Sequence, residues 1–354
     1  MSASGILMML CSAGFLAFSV VGGILSDRYG RKRFLLLALI ALAAGSAVAV
    51  FWKTSPAIYL SYFLTGLALG GMEGISTTVV AETNPEQQGK IINFSQVFFG
   101  VGALTGSLMA GWLCGYGWRW AYLATVPLAL VLFFAVRRRY FSPSAVNIPE
   151  EKPEERKAFI REPAFILIAL SMLLYVGTEV GVSGWMAYYM QRSLGASLFL
   201  ASLALSLFWG AMMLGRLISG FLSERMGYER LIMFSSLTGF VCLILAMISR
   251  SVWTAILLFA AVGLAYSPIW PTLLACAGRR YRSSTGAVFG IIIAAGGLGA
   301  IVFPPLIGLF ADRTSLALAM GASSLLLLVI TAVAIWLGNQ SEGGKSEGER
   351  PGLT

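Results

Sequence analysis

Two carboxylates stand where carboxylates are rarest. Glu73 lies well inside an apolar run that begins near Ala57 and ends near Ala81, and Glu179 inside another that begins near Pro163. An ionised acid in such surroundings costs about 2.5–3.5 kcal/mol on insertion scales unless it faces water, pairs with a base or takes a proton. Both are therefore suited to bind and release a proton, or to accept hydrogen bonds from a polar molecule entering a cavity. A plainer use of either acid is helix packing, with the carboxyl bonded to Ser or Thr neighbours, to backbone or to an adjacent helix.

Other groups able to hold a polar molecule lie in similar runs. Asn93 and Gln96 are one turn apart on a helix and so share a face. Each amide both donates and accepts, which suits a polyol better than a hydrophobic drug. Trp185 follows Glu179 by six residues and is expected to share its cavity, where an indole face can cover the apolar C–H side of a sugar ring. Trp209 and Trp270 are further indoles inside apolar runs, and Pro268 and Pro271 should kink the helix that carries Trp270. Interhelical hydrogen bonding by the amides and simple packing by the indoles are the alternatives.

Some chemistries are excluded by what the chain lacks. It has no histidine, and Cys11, Cys114, Cys242 and Cys276 share no metal-like spacing. No metal, no cofactor and no Ser-His-Asp catalysis are expected, and the chain is not read as an enzyme. The cysteines read as small apolar packing residues rather than disulfide partners.

A membrane must position these residues. With 58% hydrophobic and 12% charged residues the chain is too apolar for an ordinary soluble domain. Eleven segments reach or approach the roughly 20 apolar residues that span a bilayer core, and they must be helical because no water is present to satisfy an open strand. The net charge of +9 does not point to nucleic acid. When loops are assigned alternately to two sides, nineteen of the 25 bases fall on one side and five on the other, with Arg216 inside a run. That asymmetry makes the crowded side cytoplasmic.

The polar stretch Gly23-Ile24-Leu25-Ser26-Asp27-Arg28-Tyr29-Gly30-Arg31-Lys32-Arg33 recurs 197 residues later as Gly220-Phe221-Leu222-Ser223-Glu224-Arg225-Met226-Gly227-Tyr228-Glu229-Arg230. Gly66-Leu67-Ala68 recurs as Gly263-Leu264-Ala265, and Gly100-x-Gly102-Ala103 as Gly297-x-Gly299-Ala300, at the same offset. Three blocks on one diagonal mean two copies of one membrane unit. Trp270 is then the repeat partner of Glu73. Glycines at 100, 102, 106 and 111 should let helices approach closely. Asp27, Arg28, Arg31, Glu224 and Arg225 sit at cytoplasmic helix ends, where ion pairs can hold two bundles closed and break on opening. Fixing topology is the alternative for them. Arg216, four residues before Gly220, is placed at the same gate.

The offset sets Met1 opposite Leu198, so the expectation is a twelve-helix design without its first helix. The organisation read from the sequence is a five-helix bundle over 1–136 and a charged, Pro-rich cytoplasmic linker over 137–161. A six-helix bundle over 162–337 and a disordered cytoplasmic tail over 338–354 complete it.

The loop from Gly23 to Arg33 resembles the signature loop between helices two and three of the major facilitator superfamily, and a weaker second copy is typical of that family. The resemblance covers the chain from Met1 to about Leu337. It implies an all-α membrane fold, with two pseudo-symmetric helical bundles around a central cavity and alternating access by rocking of the bundles. Within the superfamily the chain is similar to the fucose permease-like sugar–proton symporters. That likeness is carried by Gly70-Gly71-Met72-Glu73, Asn93-x-x-Gln96, Tyr175-Val176-Gly177-Thr178-Glu179 with Trp185, and Ser267-Pro268-Ile269-Trp270-Pro271. It implies that Glu73 is a proton-coupling acid and that protons rather than sodium drive transport. The family's other coupling acid lies in the helix expected to be missing.

The expected protein is thus a secondary transporter coupling protons to uptake of a sugar or similar small polar solute. Its cavity candidates are Asn93, Gln96, Glu179, Trp185, Trp209 and Trp270. It is expected to be a multi-pass protein of the cell membrane, with the N-terminus outside, the C-terminus cytoplasmic and a monomer favoured. A proton-driven exporter of drugs or other amphipathic compounds on the same fold is the alternative.

Overall fold

The computed structural model describes residues 2–22, 25–26, 29–52, 54–83, 88–139, 159–281 and 285–348. Among them the chain forms eleven helical runs and no strand. Helix α1 (Ser2–Ala17) opens into a π turn at Phe18–Gly22, and α2 (Arg31–Phe51), α3 (Ser55–Thr83), α4 (Gln88–Cys114) and α5 (Trp118–Arg138) complete the first bundle. The second bundle starts with α6 (Pro163–Leu194), α7 (Leu198–Met226) and α8 (Tyr228–Ile248). The broken run α9 (Val252–Tyr266) and α10 (Ile269–Arg280) follows, then α11 (Thr285–Arg313), and α12 (Leu316–Ser323) with α13 (Leu325–Gly348). Eight runs, from Arg31–Phe51 to Leu316–Gln340, carry enough continuous apolar sequence to cross a bilayer.

Helix ends follow local chemistry. Ser197, Ser251 and Ser315 each accept the backbone N–H three residues on, from Leu200, Thr254 and Leu318. Pro163 occupies the first turn of α6, and Gly195 closes that helix with a φ of 68°. Pro268 breaks the α9–α10 run as its sequence position suggests. It has no N–H to give the Leu264 carbonyl, and the Ser267 hydroxyl bonds that carbonyl instead at 2.7 Å. Pro271 falls in the first turn of α10, where a missing N–H leaves no ladder bond unmade.

The 197-residue repeat is legible as contacts. A Cβ on Gly66 would meet the Cys11 carbonyl oxygen at 1.9 Å, and one on Gly263 the Phe208 carbonyl oxygen at 2.1 Å. Cys11 and Phe208 are themselves one repeat apart. A Cβ on Gly100 would meet Met213 of the other bundle at 2.7 Å, and one on its partner Gly297 would meet Leu16 at 2.9 Å, residues again one repeat apart. The two bundles accordingly meet through α1 against α11 and α4 against α7, pairs that the repeat interchanges. A Cβ on Gly299 would meet the Leu173 carbonyl oxygen of α6 at 2.1 Å, whereas one on Gly102 or Gly106 would meet nothing within 4 Å. Close approach is therefore the role of Gly100 and Gly111 but not of Gly102 and Gly106.

The second bundle holds most of the buried core. Trp185, Tyr175, Tyr189, Tyr266, Phe208 and Phe259 are all at most 1% exposed. Several polar tips of these rings find backbone partners: Tyr189 donates to Ala246 O and Met247 O, both at 3.3 Å. The four cysteines are free. Exposed Leu128, Leu130, Val131 and Phe134 on α5 form an apolar surface of the kind lipid solvates.

One boundary differs from the sequence reading. The expected disordered tail begins at 338, yet α13 continues to Gly348. Apolar sequence ends there, but nothing before Pro351 removes a backbone donor, so the helical ladder runs on past the spanning segment. Of the expected linker, residues 140–158 lie outside the described residues.

Candidate functional site

The sequence puts three ionisable side chains deep in apolar runs, Glu73, Glu179 and Arg216, and the fold pairs the last two. Glu179 stands halfway along α6 and is 7% exposed. Arg216 on α7 places Nη2 4.0 Å from its Oε1. Glu73, half-buried on α3 of the first bundle, is close enough to feel the charges of both. Tyr175, one turn before Glu179, sets its hydroxyl beside that carboxylate and donates to Tyr266 O at 3.1 Å. The Tyr266 hydroxyl, also within reach of the Glu179 charge, has no hydrogen-bond partner among the described residues.

Arg216 was expected at the cytoplasmic gate, and the structure pairs it with Glu179 instead. The reason is directional. A helical Cα–Cβ bond tilts toward the helix N-terminus, so Arg216 leans away from the C-terminal end of α7 and back toward the middle of the helix. Trp185 is a second correction. It is 1% exposed, and its indole Nε1 donates to Pro304 O at 2.9 Å, so it anchors α6 on α11 rather than lining a cavity. Six residues at 3.6 per turn leave it about 120° round the helix from Glu179.

Trp209 stands two turns before Arg216 and meets Phe99 of α4 edge-on, with ring centroids 6.0 Å apart at the seam between bundles. Trp270 packs half-buried against the core of the second bundle. Asn93 and Gln96 fall on α4, but their side chains lie outside the described residues. So do Asp27 and Arg28 and the side chain of Glu224. Of the remaining gate candidates, Arg31 donates to Ser26 Oγ at 3.4 Å within its own loop, and Arg225 is exposed.

Contacts that the sequence reading missed tie basic helix ends within each bundle. Lys32 Nζ donates to Arg137 O at 2.8 Å and Arg139 O at 2.7 Å, capping the C-terminus of α5 with a cation. Glu229 pairs with Arg279, whose guanidinium lies 4.9 Å from the Tyr228 ring centroid. Tyr281 donates to Glu162 at 2.9 Å. Burial, and then the Glu162 carboxylate, push its phenol above the usual tyrosine range, so it remains a donor at physiological pH. These partners are distant in sequence and follow no spacing rule.

A separate, mainly apolar cavity of about 680 Å³ lies in the first bundle, lined by Leu7, Ala49, Tyr62, Gly106, Met109 and Tyr122 among others. It does not include the Glu73 cluster.

The sequence model of the Major Facilitator Superfamily matches residues 1–187 and again 168–352, one match for each bundle. The chain belongs to that superfamily. It is a multi-pass membrane transporter, not an enzyme. Its relatives include the glucose/mannose transporter of Bacillus subtilis (strain 168), 24% identical over 345 residues that cover 91% of this chain and 82% of that protein. The cis,cis-muconate transport protein of Acinetobacter baylyi is 24% identical over 354 residues, 94% of this chain and 85% of the relative. Among solved structures, a bacterial homolog of the human lysosomal transporter Spinster, inward-facing and unoccupied, superposes with a TM-score of 0.77 at 14% identity, covering 95% of this chain and 89% of that one. The Escherichia coli fucose:proton symporter gives 0.60 at 14% identity over 95% and 97% of the two chains. Both structural likenesses concern the fold.

Proposed function

We propose that this transporter couples proton entry to uptake of a sugar or a similar small polar solute, with Glu73 as the acid that carries the proton. The observation behind this reading is an acid deep in the first bundle, Glu73, that feels the charge of Arg216, itself paired with Glu179 in the second of two bundles that move relative to each other in alternating access. An intramembrane acid that faces water on one side and then the other can load and release a proton as access changes. Tyr175 and Tyr266 supply hydroxyls beside Glu179, and Trp209 an aromatic face at the seam with α4. The side bearing Arg31, Lys32 and Arg279 is then cytoplasmic, and the cell membrane is the membrane spanned.

A carboxylate solute is the second reading. It is favoured by Arg216, whose guanidinium is suited to bidentate recognition of a carboxylate. Proteoliposomes carrying an imposed proton gradient, offered labelled glucose, mannose or cis,cis-muconate in parallel, decide between the two. Gradient-driven accumulation of a sugar supports the first reading, and of muconate alone the second. Uptake indifferent to the gradient contradicts proton coupling.

A further inference from the structure

We propose that the basic ends of α2 and α5 form a docking surface for an anionic membrane phospholipid, with its phosphate held by arginines and an acyl chain laid along α5. The inference is independent of which solute the transporter carries and of what drives it.

Two helices bring the charge together. Arg31, Lys32 and Arg33 open α2, whose first turn holds no acid, and Arg137, Arg138 and Arg139 close α5. Lys32 Nζ donates to Arg137 O at 2.8 Å and Arg139 O at 2.7 Å, which fixes the two triplets side by side. Arg33, Arg138 and Arg139 are exposed. Like charges gathered so closely favour an anion among them.

Apolar surface leads directly to this charge. Val131 and Phe134 on α5 are 66% and 51% exposed. Arg138 lies seven residues beyond the first and four beyond the second, so at 3.6 residues per turn all three share one face. Helical side chains lean toward the helix N-terminus, which directs the Arg138 stem back along that face and leaves its head at the edge of the apolar column. A fatty-acyl chain on the column sets its phosphate at Arg138 and Arg139. A guanidinium suits that group, because its planar fork meets phosphate oxygens in pairs.

The repeat shows that neither fold nor topology demands the charge. At the offset of 197 the two triplets correspond to Tyr228-Glu229-Arg230 and Ala334-Ile335-Trp336, which hold one acid and one base. Glu229 stands where Lys32 does, and it pairs with Arg279 inside the second bundle. Six spans separate the two copies, so both lie at one face of the membrane, where the positive-inside bias acts on each alike. The first bundle thus gathers six bases at a place where its copy is neutral. A lipid is the occupant because a free phosphate ion would leave Val131 and Phe134 uncovered, whereas a phospholipid meets both halves of the surface.

Native mass spectrometry of the purified full chain in detergent tests this, with dioleoylphosphatidylglycerol, dioleoylphosphatidylcholine and inorganic phosphate as probes. Phosphatidylglycerol should be retained about tenfold more tightly than phosphatidylcholine, and Arg138→Gln with Arg139→Gln should weaken its retention by about tenfold or more. Arg138→Lys with Arg139→Lys should keep most of it. Arg230→Gln with Arg280→Gln, in the second bundle, should leave it unchanged, and inorganic phosphate in large excess should not displace the lipid. Equal retention of the two lipids, an unmoved glutamine variant, an equal loss in the second-bundle control, or displacement by inorganic phosphate would each overturn the proposal. The lipid comparison and the phosphate competition use the wild type alone, so they decide the matter even where a variant does not fold.

Discussion

Arg216 and Glu179, on consecutive antiparallel helices, meet at 4.0 Å halfway along α6, although Arg216 is only four residues from the second copy of the repeated loop motif. That contact sets the base against the mid-helix acid of α6 rather than at the end of α7.

The repeat-related glycines give a pair of opposite predictions. Gly66→Ala and Gly263→Ala place a Cβ 1.9 Å and 2.1 Å from backbone oxygens of the facing helix. Each should lower stability by about 1–3 kcal/mol or more, as overpacking does. Gly102→Ala meets nothing within 4 Å and should leave stability unchanged or raise it by roughly 0.5–1 kcal/mol through helix propensity. Thermal unfolding in detergent checks all three. A destabilised Gly102→Ala, or a neutral Gly263→Ala, contradicts the packing described.

That contrast shows what the sequence made legible and what it did not. The diagonal of glycines, the two bundles, the helix break at Pro268 and the depth of Glu73 could all be read directly, because length, periodicity and proline chemistry are local properties. Arg216 was misplaced because it was located by its distance along the helix alone, and Trp185 because its angular offset from Glu179 was taken as too small. Side-chain lean sent Arg216 back toward the middle of its helix, and angular offset turned Trp185 into the α6–α11 contact. Lys32 on the α5 carbonyls and Tyr281 on Glu162 join residues more than a hundred positions apart, with no pattern to announce them.

Trp185 should behave as a packing residue. Trp185→Phe removes the bond to Pro304 O within a buried contact and should cost about 1–3 kcal/mol. Half-saturating solute concentration should stay within a factor of two or so, since the indole touches no cavity in this arrangement. A shifted solute affinity at unchanged thermal stability would return Trp185 to the binding site.

At the helix break, Ser267→Ala removes the hydroxyl that bonds the Leu264 carbonyl freed by Pro268. The expected loss is about 1 kcal/mol, the usual net worth of one hydrogen bond. Hydrogen exchange should show faster opening confined to α9 and α10. Uniform acceleration across the second bundle would mean that the break is held by something else.

The central claim is that Glu73 carries the coupled proton, and proton-driven accumulation in proteoliposomes tests it most directly. With labelled glucose, mannose or muconate as the probe that the wild type accumulates, Glu73→Gln should reduce gradient-driven accumulation by about tenfold or more, the loss expected when an intramembrane acid that marks the proton path is removed. Solute exchange without a gradient should persist in the same vesicles. Accumulation by Glu73→Gln with the pH dependence of the wild type would contradict the account.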